Sequence, residues 1–149
     1  VSLTSGVVQL SERFWHPGPP TDAQRTAATA WLAELLRAGL PEWIPSGPLV
    51  AVAGTPRSLA WLTQQDPLVA RATLSLTQVK SWAERLLRMS PLEIASLDPR
   101  LAGREHILPA GALILSEVMG RLMCDEVEAS TLGLRHGLAW RLATGQFPS

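Results

Sequence analysis

Cysteine occurs once in these 149 residues, at Cys124, and tyrosine does not occur at all. One cysteine forms no intrachain disulfide and leaves a cysteine-rich zinc site without ligands, which fits a reducing, cytoplasmic setting. Net charge is also absent, because thirteen Lys plus Arg match thirteen Asp plus Glu. A long basic groove for nucleic acid or for an anionic membrane face is therefore excluded. No apolar run approaches the ~20 residues of a membrane-spanning helix. The opening stretch from Val1 to Phe14 lacks the basic-then-apolar layout of a signal peptide, and its start reads as a cut. His16, His106 and His136 lie far apart, and none has a second histidine or cysteine at metal-ligand spacing.

What is present argues for a packed globule, since 46% apolar residues with 17% charged ones are too hydrophobic for a disordered chain. Gly6 to Phe14 carries Val7, Val8 and Leu10 in imperfect alternation and predicts a strand ended by the loop from His16 to Pro20. Thr21 with Gln24 forms a capping box ahead of a stripe of Ala28, Trp31, Leu32, Leu35 and Leu36 that Gly39 closes, which predicts a helix. Thr77 is placed to cap a helix carrying Val79, Trp82, Ala83, Leu86 and Leu87, and Ser90, Pro91 and Glu93 announce a shorter one. Ala110 to Met123 is apolar almost all round, Asp125 to Ser130 alternates as a strand, and Leu132 to Ala143 is again helical. Trp31, Trp43, Trp61, Trp82 and Trp140 fall on or beside these apolar faces, which predicts them in the core.

Strands separated by helices give an α/β layer fold, thin at three strands, which suggests that sheet is missing before Val1 or after Ser149. The Gly54 to Pro56 turn suits two roles. Its glycine makes a tight strand-to-helix turn, or its free backbone N–H groups and the positive end of the helix receive a phosphate. It is not a Walker loop, since no Gly-Lys-Ser/Thr follows. Arg57, Arg100, Arg104 and Arg135 are the cations for a phosphorylated ligand if the fold gathers them. Glu126 and Glu128 share a strand face, where an acid pair and an exposed edge read alike. Cys124 reads as a small buried hydrophobe.

Four segments in order resemble the second domain of the exopolyphosphatase and guanosine pentaphosphate phosphatase (Ppx/GppA) family. GVVQLSERF at Gly6 to Phe14 resembles its Gly-x-Val-x-Leu-Thr-Glu strand, and VAVAGTPRSLAWL at Val50 to Leu62 its Val-Gly-Gly-Thr-Ala strand and turn. LDPRLAGREHILPAGALIL resembles its Arg-Ala-Asp-x-Ile-x-x-Gly-Ala-x-Ile-Leu segment, and STLGLRHGLAW at Ser130 to Trp140 its Ser-x-x-Gly-Leu-Arg-Glu-Gly-Leu.

The resemblance implies an α/β fold: a partial actin-like, ribonuclease-H-like domain with a short mixed sheet, flanking helices and a helical insertion at about 64–108. On that basis residues 1–149 are one domain, the C-terminal portion of a phosphatase hydrolysing terminal phosphoanhydrides of polyphosphate or guanosine pentaphosphate with Mg2+. Gly54 and Thr55 correspond to the family's Gly-Thr and Arg104 to its Arg-Ala-Asp arginine, making them the phosphate- or nucleotide-binding residues. The catalytic glutamate and both phosphate hairpins have no counterpart here, so the chain alone is expected to be inactive. A sheet edge bared by a missing hairpin suggests a homodimer. Ala53 replaces a family glycine, Pro56 an alanine, His106 an aspartate and His136 a glutamate. These departures leave open a noncatalytic nucleotide-binding or interaction module of the same superfold, and a kinase of that superfold is a third alternative.

Overall fold

The computed structural model describes residues 3, 5–15, 18–40, 47–64 and 71–145. In chain order they form α1 (Val7–Phe14), α2 (Asp22–Gly39), β1 (Leu49–Val52), α3 (Gly54–Gln64), β2 (Arg71–Ser75), α4 (Leu76–Leu86) and α5 (Pro91–Leu97). A 3-10 turn (Pro99–Leu101), α6 (Leu108–Arg121), β3 (Glu126–Ser130) and α7 (Leu134–Thr144) complete the order. The sheet runs β1-β3-β2, with β1 parallel and β2 antiparallel to β3. Leu49 and Leu74 flank Val127, while Ala51 and Ala72 flank Ala129, so these rows share one face. That face joins the core with Leu59, Val79, Leu86, Ile94, Leu108 and Met119. The other face carries Val50 and Val52, exposed by 49% and 43%.

A second apolar cluster lies behind α6, where Ala110 and Leu113 meet Leu10 and Trp15 from the α1 region and Leu32 and Leu36 of α2. The all-round apolar character of α6 follows: one side packs toward the sheet, the opposite side toward α1 and α2. Helix starts are chemically marked. Gln24 N–H donates to Thr21 Oγ1 at 3.3 Å while Thr21 N–H donates to Gln24 Oε1 at 2.8 Å, and Ser90 with Glu93 repeats the pattern.

Four expectations need correction. Gly6 to Phe14 is a helix, because Val7, Leu10 and Phe14 at helical spacing reach the α2 cluster and Leu10 N–H bonds Gly6 O at 3.0 Å. The cap of α4 is Ser75, which accepts from Gln78 N–H at 3.2 Å, and Thr77 lies inside the helix. The stretch expected to be a helical insertion contains β2, whose Ala72 and Leu74 are buried alternately. The tryptophans reach the core only in part: Trp15 is buried, Trp31 and Trp82 are half-buried and pack against the two clusters, Trp61 is half-buried outside them and Trp140 is 67% exposed. Arginines cover the half-buried rings at about 5 Å, as a cation over a π face does. His16 and Trp43 lie outside the described residues. Among the described residues no helix is long and apolar enough to cross a membrane.

Candidate phosphate-binding edge

β1 and β3 are parallel neighbours with Val52 beside Ser130, so both strands end at the same edge, and α3 and α7 start just beyond it. Ligands of open α/β sheets bind outside such carboxyl ends. The turn from β1 into α3 is tight enough to hold Ala53 at φ 84°, a left-handed conformation unfavourable for a side chain. Ala53→Gly is expected to raise stability by about 0.5–1 kcal/mol, the relieved strain exceeding glycine's entropic cost. A thermal melt checks this: Tm should rise by roughly 2–4 °C, and a fall would show that the backbone there is not strained.

Gly54 opens α3, where first-turn N–H groups lack partners within the helix and carry its positive end. Its missing side chain matters, because a Cβ at position 54 would overlap the guanidinium of Arg104. Arg104 is presented by a turn anchored at both ends: its N–H bonds Leu101 O at 2.8 Å, and its carbonyl accepts the Leu108 N–H at 2.8 Å as α6 begins. Gly103 at φ 77° bends that turn. Among the described residues the Arg104 guanidinium has no hydrogen-bond acceptor or carboxylate. The neighbouring Glu105 lines a cavity of about 20 Å³ with Trp15 and Pro109, room for one water. Thr55 turns its side chain to α6, where its hydroxyl and methyl occupy the space a side chain on Gly111 would need. Its contribution to a ligand is therefore the backbone N–H.

The fold also gathers two of the other arginines. The guanidinium carbons of Arg57 and Arg100 lie 5.0 and 4.8 Å from the Trp61 ring centroid. Arg100 donates from Nε to Asp98 Oδ1 at 2.8 Å and from Nη2 to Oδ2 at 2.5 Å. Those bonds, with a further one from the Arg100 backbone N–H, lower the Asp98 carboxyl to about 2. A depressed folded-state pKa stabilises above the unfolded value and is lost as pH falls through the folded one. Asp98 should thus stabilise at pH 5 and lose that effect between about 4 and 2. Asp98→Asn should flatten this part of a stability-against-pH curve, and an unchanged curve would remove Asp98 as its source.

Arg135 stands apart on α7, whose residues are all exposed. Glu126 and Glu128 do share a face, but Glu128 pairs with Arg71 at 3.3 Å, which accounts for it without an acid pair. Cys124 is half-buried, its Sγ 3.5 Å from Leu122 O. His136 accepts the Gly133 N–H on Nδ1 at 3.3 Å, a start-of-helix role that a glutamate fills equally well. His106 is half exposed. No three His, Cys, Asp or Glu side chains among the described residues group to hold a metal ion. The residue missed in the sequence is Gly111, the floor beneath Thr55. Its signal was a glycine inside an apolar helix, where alanine would be favoured by ~1 kcal/mol unless space forbids it.

A model of the Ppx/GppA phosphatase family matches residues 1–145. Exopolyphosphatase 1 of Mycobacterium tuberculosis is 33% identical over 154 residues, which take in 95% of this chain and 43% of the relative. Exopolyphosphatase 2 of the same organism is 28% identical over 95% of this chain and 48% of its own length. The chain thus spans less than half the length of these relatives. A Ppx/GppA phosphatase structure from Aquifex aeolicus superposes with a TM-score of 0.84 at 26% identity, over 93% of this chain and 47% of that one. An exopolyphosphatase structure from Cytophaga hutchinsonii gives 0.79 at 18% identity, over 95% and 48%. The α/β architecture described above is the actin-like fold of these proteins.

Proposed function

Since this chain belongs to the Ppx/GppA phosphatase family, we propose that it is the ligand-gripping C-terminal portion of an exopolyphosphatase-type hydrolase. The observation that carries this is the Arg104 guanidinium, seated on Gly54 where α3 leaves β1 and without an acceptor among the described residues. Phosphoryl oxygens would accept from Arg104 and from the first-turn N–H groups at Gly54 and Thr55, a donor set suited to concentrated negative charge. In the reaction water attacks the terminal phosphorus of polyphosphate or guanosine pentaphosphate, and the phosphoanhydride P–O bond breaks. The glutamate that takes the water's proton has no counterpart among these 149 residues, so this chain binds without turning over. Magnesium finds no ligand cluster in the described residues, and their part is binding and orientation. The single cysteine of these 149 residues fits a cytoplasmic setting.

Calorimetric titration of the 149-residue chain with tripolyphosphate, beside a phosphate-release assay, tests both halves. Binding that Arg104→Ala removes, without release, is expected. No binding, or binding indifferent to Arg104, overturns the site, and phosphate release overturns the division of labour. A second reading, a noncatalytic module of the same superfold, draws support from Ala53, which is held at φ 84° where the family pattern has glycine. Nucleotide binding without hydrolysis by a protein carrying a glutamate-bearing lobe as well would favour it.

The partner most compatible with α7 is a second copy of the chain. Leu134, Leu138 and Leu142 follow at four-residue spacing on one face of α7 and are each more than half exposed, an apolar stripe that monomers seldom leave bare without use. Light scattering should report a dimer that Leu138→Glu converts to monomer with little change in Tm, because α7 buries none of its residues. A monomer at high concentration would overturn this.

A further inference from the structure

We infer that Arg57, braced on Trp61, is a second phosphate contact, which selects linear oligophosphates over short phosphorylated ligands. The inference rests on the reading of Gly54 and Arg104 as a phosphate site. Arg57 follows Gly54 by three residues on α3, and its guanidinium reaches on to Trp61, seven residues from Gly54. At 1.5 Å per residue the Arg57 backbone stands about 4.5 Å along the helix from Gly54, with its guanidinium turned onward to the Trp61 ring. Two cations set one after the other along α3 suit a chain of several phosphates better than a single phosphate.

Three observations support a ligand there. The Nε–H of Arg57 is buried and has no hydrogen-bond partner among the described residues, an arrangement that costs free energy unless an acceptor arrives. No carboxylate pairs with Arg57 among those residues, so its charge is not neutralised locally. Its geometry is fixed in advance, because the Trp61 ring that carries it also carries Arg100 at 4.8 Å, and Asp98 clamps Arg100 through two bonds. Asp98, Arg100 and Trp61 thus act as a scaffold that holds the Arg57 fork in place, lowering the ordering cost of a bidentate phosphate contact.

The test is calorimetric titration of the chain with orthophosphate, tripolyphosphate and a linear polyphosphate of about ten phosphates, repeated on Arg57→Gln and Trp61→Leu. Arg37→Gln, an exposed cation on α2, controls for loss of charge alone. Affinity should rise with chain length in the unaltered protein. Arg57→Gln should lose about tenfold for the longest chain and little for the shortest, with far-ultraviolet circular dichroism unchanged. Trp61→Leu should behave similarly and Arg37→Gln like the unaltered chain. Length dependence that survives in Arg57→Gln, or falls equally in Arg37→Gln, overturns this inference and leaves the Gly54 and Arg104 site standing. If none of the three phosphates binds the unaltered chain, that underlying site falls, and this inference with it.

Discussion

Gly54→Ala is expected to abolish tripolyphosphate binding while leaving the protein as stable as before. The two effects separate because of what the new methyl group meets. It would overlap the far end of the Arg104 side chain, a guanidinium on a flexible stem, and that group swings away at little cost. Backbone in the first turn of α3 has no reason to move, and alanine is a better helix former than glycine. Stability should therefore stay within about 0.5 kcal/mol. Binding loses the charge-assisted hydrogen bonds of the displaced arginine, worth about 1.5–3 kcal/mol each, or roughly a 10- to 150-fold weaker complex per bond. Arg104→Ala should give the same loss by deleting the group that Gly54→Ala displaces, and the double variant should add little to either. Calorimetry beside a thermal melt decides the matter. A Gly54→Ala protein that binds normally would show that Arg104 is not a ligand contact, and one that unfolds would show that the methyl pushes on backbone.

Much of this fold was legible because its signals are local. The Thr21 and Ser90 capping boxes and the all-round apolar run of α6 each lie within about a dozen residues, and each element appears where its signal stands. Misreadings came where the pattern was short or the reason non-local. Eight residues of α1 hold two turns, too few for helical spacing to stand out against the alternation of Val7, Val8 and Leu10. β2 is five residues, and nothing inside RATLS says that β3 lies beside it. The tryptophans were assigned by hydrophobicity, whereas the arginines that cover them decide how far they sink. Site residues show the same divide. Gly54 and Thr55 stand at a turn that the sequence marks, but Arg104 is fifty residues further on, and only the order of four family-like segments connected them. Their convergence now has a physical basis in the contact between Gly54 and the guanidinium.

Gly111→Ala is the opposite experiment, because its methyl group has no flexible neighbour to displace. It would overlap Thr55 Oγ1 and approach Cγ2 and Cβ of the same residue at 2.9 and 3.0 Å. Threonine is short and stiff at χ1, so either rotamer still presents a heavy atom near the helix, and relief has to come from moving the start of α3 away from α6. Overpacking of this kind costs about 1–3 kcal/mol, partly offset by the ~1 kcal/mol that alanine gains in a helix interior. A net loss of up to about 2 kcal/mol is expected, lowering Tm by up to roughly 8 °C. Because the same shift lifts Gly54 from Arg104, tripolyphosphate affinity should fall with stability, unlike the behaviour of Gly54→Ala. Thr55→Ala removes Oγ1 and Cγ2 and should restore most of both in the double variant, giving a coupling energy that identifies the contact as the cause. If Gly111→Ala instead raises Tm, the helices have room between them, and the glycine needs another explanation than Thr55.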